Sequence, residues 1–95
     1  MDLKKRFEDV SGEYLKFDKV ENKKSKRPDL HAFLLLEELF PGESDRCIVC
    51  SAGHDEIWLD VEASHVASLT DSQIVELTRC GVIFAQEDNS LCMFV

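Results

Sequence analysis

The stretch Pro28-Asp29-Leu30-His31-Ala32-Phe33-Leu34-Leu35-Leu36-Glu37-Glu38-Leu39-Phe40, followed at once by Pro41-Gly42, decides how this chain folds. Proline fits the first turn of a helix, where its missing N–H costs nothing, and Asp29 lies near the positive end of the helix dipole. Pro41 cannot continue the same helix, so the spacing predicts a helix over about 28–40. Its apolar residues (Leu30, Ala32, Phe33, Leu34, Leu35, Leu36, Leu39 and Phe40) cover most of the circumference. That distribution predicts a helix buried at the centre of the core rather than lying on the surface.

Toward the C-terminus, two β-prone runs, Arg46 to Ala52 and Glu56 to Val61, flank Gly53-His54-Asp55, the chemistry of a hairpin turn. Strand alternation in the second run sets Ile57, Leu59 and Val61 on one face and Glu56, Trp58 and Asp60 on the other, which leaves Trp58 partly exposed or covering a secondary cluster. Residues 62–69 read as a weak helical turn. Thr70-Asp71-Ser72-Gln73 has the spacing of a capping box ahead of Ile74, Val75 and Leu77, and Gly81 ends that helix at about 70–80. A second hairpin follows, with Val82 to Ala85 and Leu91 to Val95 on either side of residues 86–90.

On the N-terminal side, Leu3, Phe7 and Val10 keep helical spacing before Gly12. Residues 13–20 alternate, with Leu15 and Phe17 opposite Lys16 and Asp18, and read as a strand. The expected fold is therefore a single α+β domain: an antiparallel sheet of two hairpins plus an N-terminal strand, packed on the buried helix 28–40, with a second helix at 70–80.

With 95 residues, 44 % of them apolar and 32 % charged, there is material for one core and too much apolar content for disorder. Apolar runs such as Ala32 to Leu36 are far below the ~20 residues of a membrane helix, and Lys4-Lys5-Arg6 is followed by no apolar leader segment. The expectation is a cytoplasmic protein with Cys47, Cys50, Cys80 and Cys92 as reduced thiols. The net charge of −8 is unevenly placed: residues 1–27 hold nine of the eleven Lys and Arg against six acids, and residues 28–95 hold only Arg46 and Arg79 against thirteen. The acidic body repels phosphates and argues against direct nucleic-acid binding, although the cluster Lys23-Lys24-Ser25-Lys26-Arg27 reads either as a phosphate contact or docking loop, or as a solvated loop or internal salt-bridge partner.

Two constellations bear on chemistry. Cys47-Ile48-Val49-Cys50 with His54 has a C-x-x-C-x-x-x-H spacing, and His65, Cys80 and Cys92 offer further zinc ligands. Extended, β-branched residues between the two thiols throw them to opposite faces, whereas a zinc knuckle needs them on one side of a tight turn. No helix start follows Cys47 to lower its pKa, so a thioredoxin-like role is weaker still. His54-Asp55-Glu56 with Asp60 could hold a divalent metal or move a proton, yet the same residues suit any solvated turn. His31 and His65 read as structural or surface histidines. The sequence contains no Gly-rich phosphate loop, G-x-S-x-G elbow or H-E-x-x-H motif.

Arg27-Pro28-Asp29-Leu30-His31-Ala32-Phe33-Leu34-Leu35-Leu36, His54-Asp55-Glu56-Ile57-Trp58-Leu59-Asp60-Val61, Arg79-Cys80-Gly81-Val82 and Cys92-Met93-Phe94-Val95 together give a chain that resembles small uncharacterised proteins encoded by bacteriophages and prophages of proteobacteria, over most of residues 14–95. The resemblance implies no activity, cofactor or catalytic residue. It does imply a setting, the bacterial host cytosol, in which small acidic proteins bind host proteins that have basic surfaces. The leading expectation is such a non-enzymatic binder, with Glu56, Trp58, Asp60, His54 and Asp55 as the candidate surface. The competing expectations are a metal site or small metal-dependent enzyme using His54, Asp55, Glu56, Cys47 and Cys50, and a self-associating homodimer built on the Trp58 face.

Overall fold

The computed structural model describes residues 3–41, 47–85 and 90–94. Among these, the elements are α1 (Leu3–Asp9), α2 (Pro28–Leu39), β1 (Val49–Ala52), β2 (Glu56–Leu59), α3 (Ala63–Ala67), α4 (Asp71–Arg79), β3 (Val82–Ala85) and β4 (Ser90–Phe94). The strands form one antiparallel sheet in the order β1-β2-β4-β3, so the fold is α+β. Both expected hairpins form, and β2 joins them by pairing with β4 through Glu56↔Phe94, Ile57↔Met93 and Trp58↔Cys92.

Local chemistry sets the helix boundaries. At α4 the Thr70 hydroxyl accepts the Gln73 N–H at 3.2 Å, while the Gln73 side chain accepts the Thr70 N–H at 2.8 Å, which completes the capping box. Gly81, at φ +95°, turns the chain out of α4 in a conformation that only glycine adopts without strain, and β3 begins at the next residue. Leu59, Leu91, Met93 and Val82 project from the sheet into one buried cluster with Phe7, Ala32, Leu36, Val66, Ile74 and Leu77. α1 and α4 lie closest to the sheet, both against β3, and the rings of Phe7 and Phe84 stack with their centroids 5.9 Å apart.

Three expectations need correction. Residues 13–20 do not form a strand; the segment runs through two 3-10 turns, Ser11–Glu13 and Phe17–Lys19. Leu15, at φ +58°, reverses the chain between them, and its N–H bonds to the Thr78 carbonyl at the end of α4 rather than to a neighbouring strand. Alternation was present, but no sheet edge lay within reach to make use of it.

The second correction concerns α2, which is not enclosed. His31, Ala32, Leu35 and Leu36 are buried, whereas Leu30 and Leu34 are 43 % and 39 % exposed. A chain of this length has too little mass to surround a helix, so α2 lies on the core with one side in solvent.

The third concerns the hairpin boundaries. β2 stops at Leu59 rather than Val61, because the Val61 N–H bonds back to the Leu59 carbonyl at 3.0 Å and folds a tight turn around Asp60. β1 starts at Val49; Cys47 and Ile48 precede it, and Arg46 lies outside the described residues, as do residues 86–89 of the second hairpin turn and Val95.

Candidate functional site

The first hairpin positions most of the residues that the sequence singled out. His54 and Asp55 sit exposed in its turn, closed by a Gly53 N–H to Glu56 carbonyl bond of 2.8 Å. Glu56 and Trp58, both half-buried, share one face of β2 by strand alternation. The Trp58 ring reaches back over the turn, close enough that a Cβ on Gly53 would lie 3.4 Å from it. With Cys50, Ser51 and Ser90 it lines a shallow recess of about 300 Å³. Asp60 falls beyond the strand end, where its N–H bonds to the Ile48 carbonyl at 2.7 Å. The hairpin thus brings His54, Asp55, Glu56 and Trp58 together around its turn and leaves Asp60 at its opposite end.

The thiols do not gather. Cys47 and Cys50 are exposed, and the Cys50 thiol points at the Trp58 carbonyl, 3.4 Å away. Cys80 and Cys92 are buried in other elements, and burial pushes the Cys80 thiol up to about 12, with the charge of Glu76 adding to the shift. Among the described residues no group of three or more His, Cys, Asp or Glu side chains is arranged to hold a metal ion.

Charge is strongly partitioned. Arg6 pairs with Asp71 at 2.9 Å and also donates to the carbonyls of Ala67 and Leu69. Arg79 pairs with Glu13 at 2.7 Å, which holds the Glu13 carboxyl below its ordinary value. Lys24 pairs with Glu38, Lys4 with Glu8, and Lys23 lies over the Phe17 ring. These contacts all lie on the helical side of the molecule, where the basic N-terminal segment folds back onto acids of α2 and α4. Residues 47–78 contain no Lys or Arg, and the hairpin with its flank carries Asp55, Glu56, Asp60 and Glu62.

One arrangement escaped the sequence reading. His31 is 1 % exposed; the Lys24 backbone N–H donates to its Nδ1 at 3.0 Å, which leaves Nε2 to donate to Glu76 Oε2 at 2.7 Å. Beside this pair runs a cleft of about 390 Å³ lined in part by Lys19, Asn22, Lys24, Glu38 and Arg79. His31 itself is sealed from the cleft's solvent, so it ties α2 to α4 rather than meeting a reactant. No spacing in the sequence links two residues so far apart, and the apolar residues around His31 were the only available signal.

No family model, curated protein or solved structure matches the chain.

Proposed function

We propose that the protein is a non-enzymatic binding protein that engages a partner with a basic surface through the side of the molecule formed by β1, β2 and the start of α3. The observation that carries this reading is the partition of charge: Arg6 and Lys24 of the N-terminal segment pair with Asp71 and Glu38 on the helical side, while Asp55, Glu56, Asp60 and Glu62 occupy a stretch without a single Lys or Arg. Carboxylates set out in this way attract a cationic partner at long range and fix its orientation on contact. The resemblance to phage- and prophage-encoded proteins suggests a host protein in the bacterial cytosol as that partner.

The test is affinity capture from a proteobacterial lysate with the wild-type protein and with the Asp55→Asn/Glu56→Gln variant, at low salt and at high salt. The expected result is a basic protein retained by the wild type at low salt, released at high salt and missing from the variant. Recovery that ignores both salt and variant, or no recovery at all, overturns the reading.

A further inference from the structure

We propose that the outer edge of β1 is a docking strand for an extended, basic segment of the partner, which adds to the sheet beside β1. This inference rests on the acidic-surface reading above and gives the partner its form.

The two outer strands of the sheet differ. β3 is flanked by α1 and α4, and none of its residues is exposed. In β1, Cys50, Ser51 and Ala52 are all exposed, and among the described residues no backbone group outside β2 and its flank bonds to the strand. The register shows which groups are left open. Ile48 pairs inward with Asp60, and Gly53 pairs inward with Glu56, so Val49 and Ala52, each one residue inside those pairs, direct their N–H and C=O away from β2.

Open edges template further strands, and proteins commonly blunt them with lysine, proline or a covering element. Val49-Cys50-Ser51-Ala52 contains no lysine and no proline; its only such device is the bulge between Val49 and Ser51. The chain's own basic loop is engaged elsewhere, with Lys24 on Glu38 and Lys23 over Phe17.

Charge complementarity selects the occupant. Asp55 and Glu56 stand at one end of β1, and the exposed Glu62 follows β2 at the other. A strand added at the edge lies roughly 5 Å from β1 and roughly 10 Å from β2. The long stems of lysine or arginine on such a strand can carry their cations toward the carboxylates at its ends. Backbone bonds supply the docking and the carboxylates supply the preference for a basic sequence.

The test uses a short end-blocked peptide of alternating lysine and threonine, with binding followed by amide NMR on the full chain. Two analogues accompany it, one N-methylated at every second amide and one with glutamine for lysine, together with the protein variant Ala52→Pro, which removes an outward N–H without breaking a β1–β2 bond. The expected result is binding of the lysine peptide with exchange protection at Val49 and Ala52. Affinity should fall roughly tenfold on N-methylation and by a similar factor in Ala52→Pro, as loss of edge hydrogen bonds requires.

Equal, salt-sensitive binding of the lysine peptide and its N-methylated analogue overturns the edge inference and leaves the acidic-surface reading standing. Equal binding of the glutamine analogue overturns the basic partner, and with it both proposals. Absence of binding by every peptide does the same. Concentration-dependent protection of Val49 and Ala52 without peptide assigns the edge to a second copy of the chain and overturns the proposed occupant.

Discussion

Nε2 of His31 on α2 donates to Oε2 of Glu76 on α4 across 2.7 Å, while the backbone N–H of Lys24 holds the other ring nitrogen at 3.0 Å. One buried imidazole therefore fastens α2, α4 and the basic loop together, with both its nitrogens satisfied.

Removing either partner has unequal consequences. His31→Ala leaves a cavity and orphans the Lys24 N–H, at a cost of about 2–4 kcal/mol. Glu76→Ala strands only the Nε2 proton, and because the Glu76 side chain is 32 % exposed, water can take its place. Its cost should be about 1 kcal/mol, the low end for an unsatisfied buried donor. Urea denaturation of the two variants checks the order: the His31 variant has the lower midpoint, with the slope unchanged.

The Glu13–Arg79 pair gives an acid-limb prediction. Arg79 bonds to the Glu13 carboxyl and lowers its pKa in the folded state, so the pair's stabilisation is fully present above the ordinary carboxylate range and is lost as pH falls through the depressed folded value. In Glu13→Gln that component of the acid dependence is absent. Thermal melts of wild type and variant from neutral pH downward should converge toward the acid end; a constant gap between them would exclude the mechanism.

Gly81 separates two effects. A Cβ added there meets Leu15 Cδ2 at 2.8 Å, but Leu15 is 55 % exposed and its side chain can swing away, whereas φ at +95° stays unfavourable for alanine whatever Leu15 does. Gly81→Ala should cost about 1–2 kcal/mol. Adding Leu15→Ala should restore little of it. Recovery in the double variant would show that contact, not backbone strain, dominates.

Thiol reactivity follows burial. At mildly alkaline pH, Cys47 and Cys50 should label quickly with a disulfide reagent, while Cys80 and Cys92, both buried, should label only on unfolding. The elevated Cys80 value reinforces this, because its thiolate is scarce until far above that pH. Timed mass spectrometry of labelled protein, with and without denaturant, reads the difference.

Much of this architecture was legible because local signals and the final packing agreed. The Pro28 start, the Thr70 capping box, the Gly81 stop and the Gly53-His54-Asp55 turn each act within a few residues, and each element formed where its signal stood. Alternation in residues 13–20 misled because a strand exists only where a partner strand is available, and that is a long-range fact. The circumference of α2 misled because apolar content does not say how much core a small chain can place around a helix. At the candidate site, the clustering of His54, Asp55, Glu56 and Trp58 was visible, being local to one hairpin. The exposed β1 edge was not, since which strand ends up outermost depends on β4 pairing with β2 rather than on anything within β1.

The sheet order also sets the last strand of the chain inside the sheet. β4 follows every other described element in the chain yet lies between β2 and β3. Until it arrives, β1 and β2 are an isolated two-stranded ribbon of marginal stability, and β3 has no partner strand. Completing the sheet therefore needs both the local β3–β4 hairpin and the long-range β2–β4 pairing, and a nascent chain can make neither before β4 has emerged.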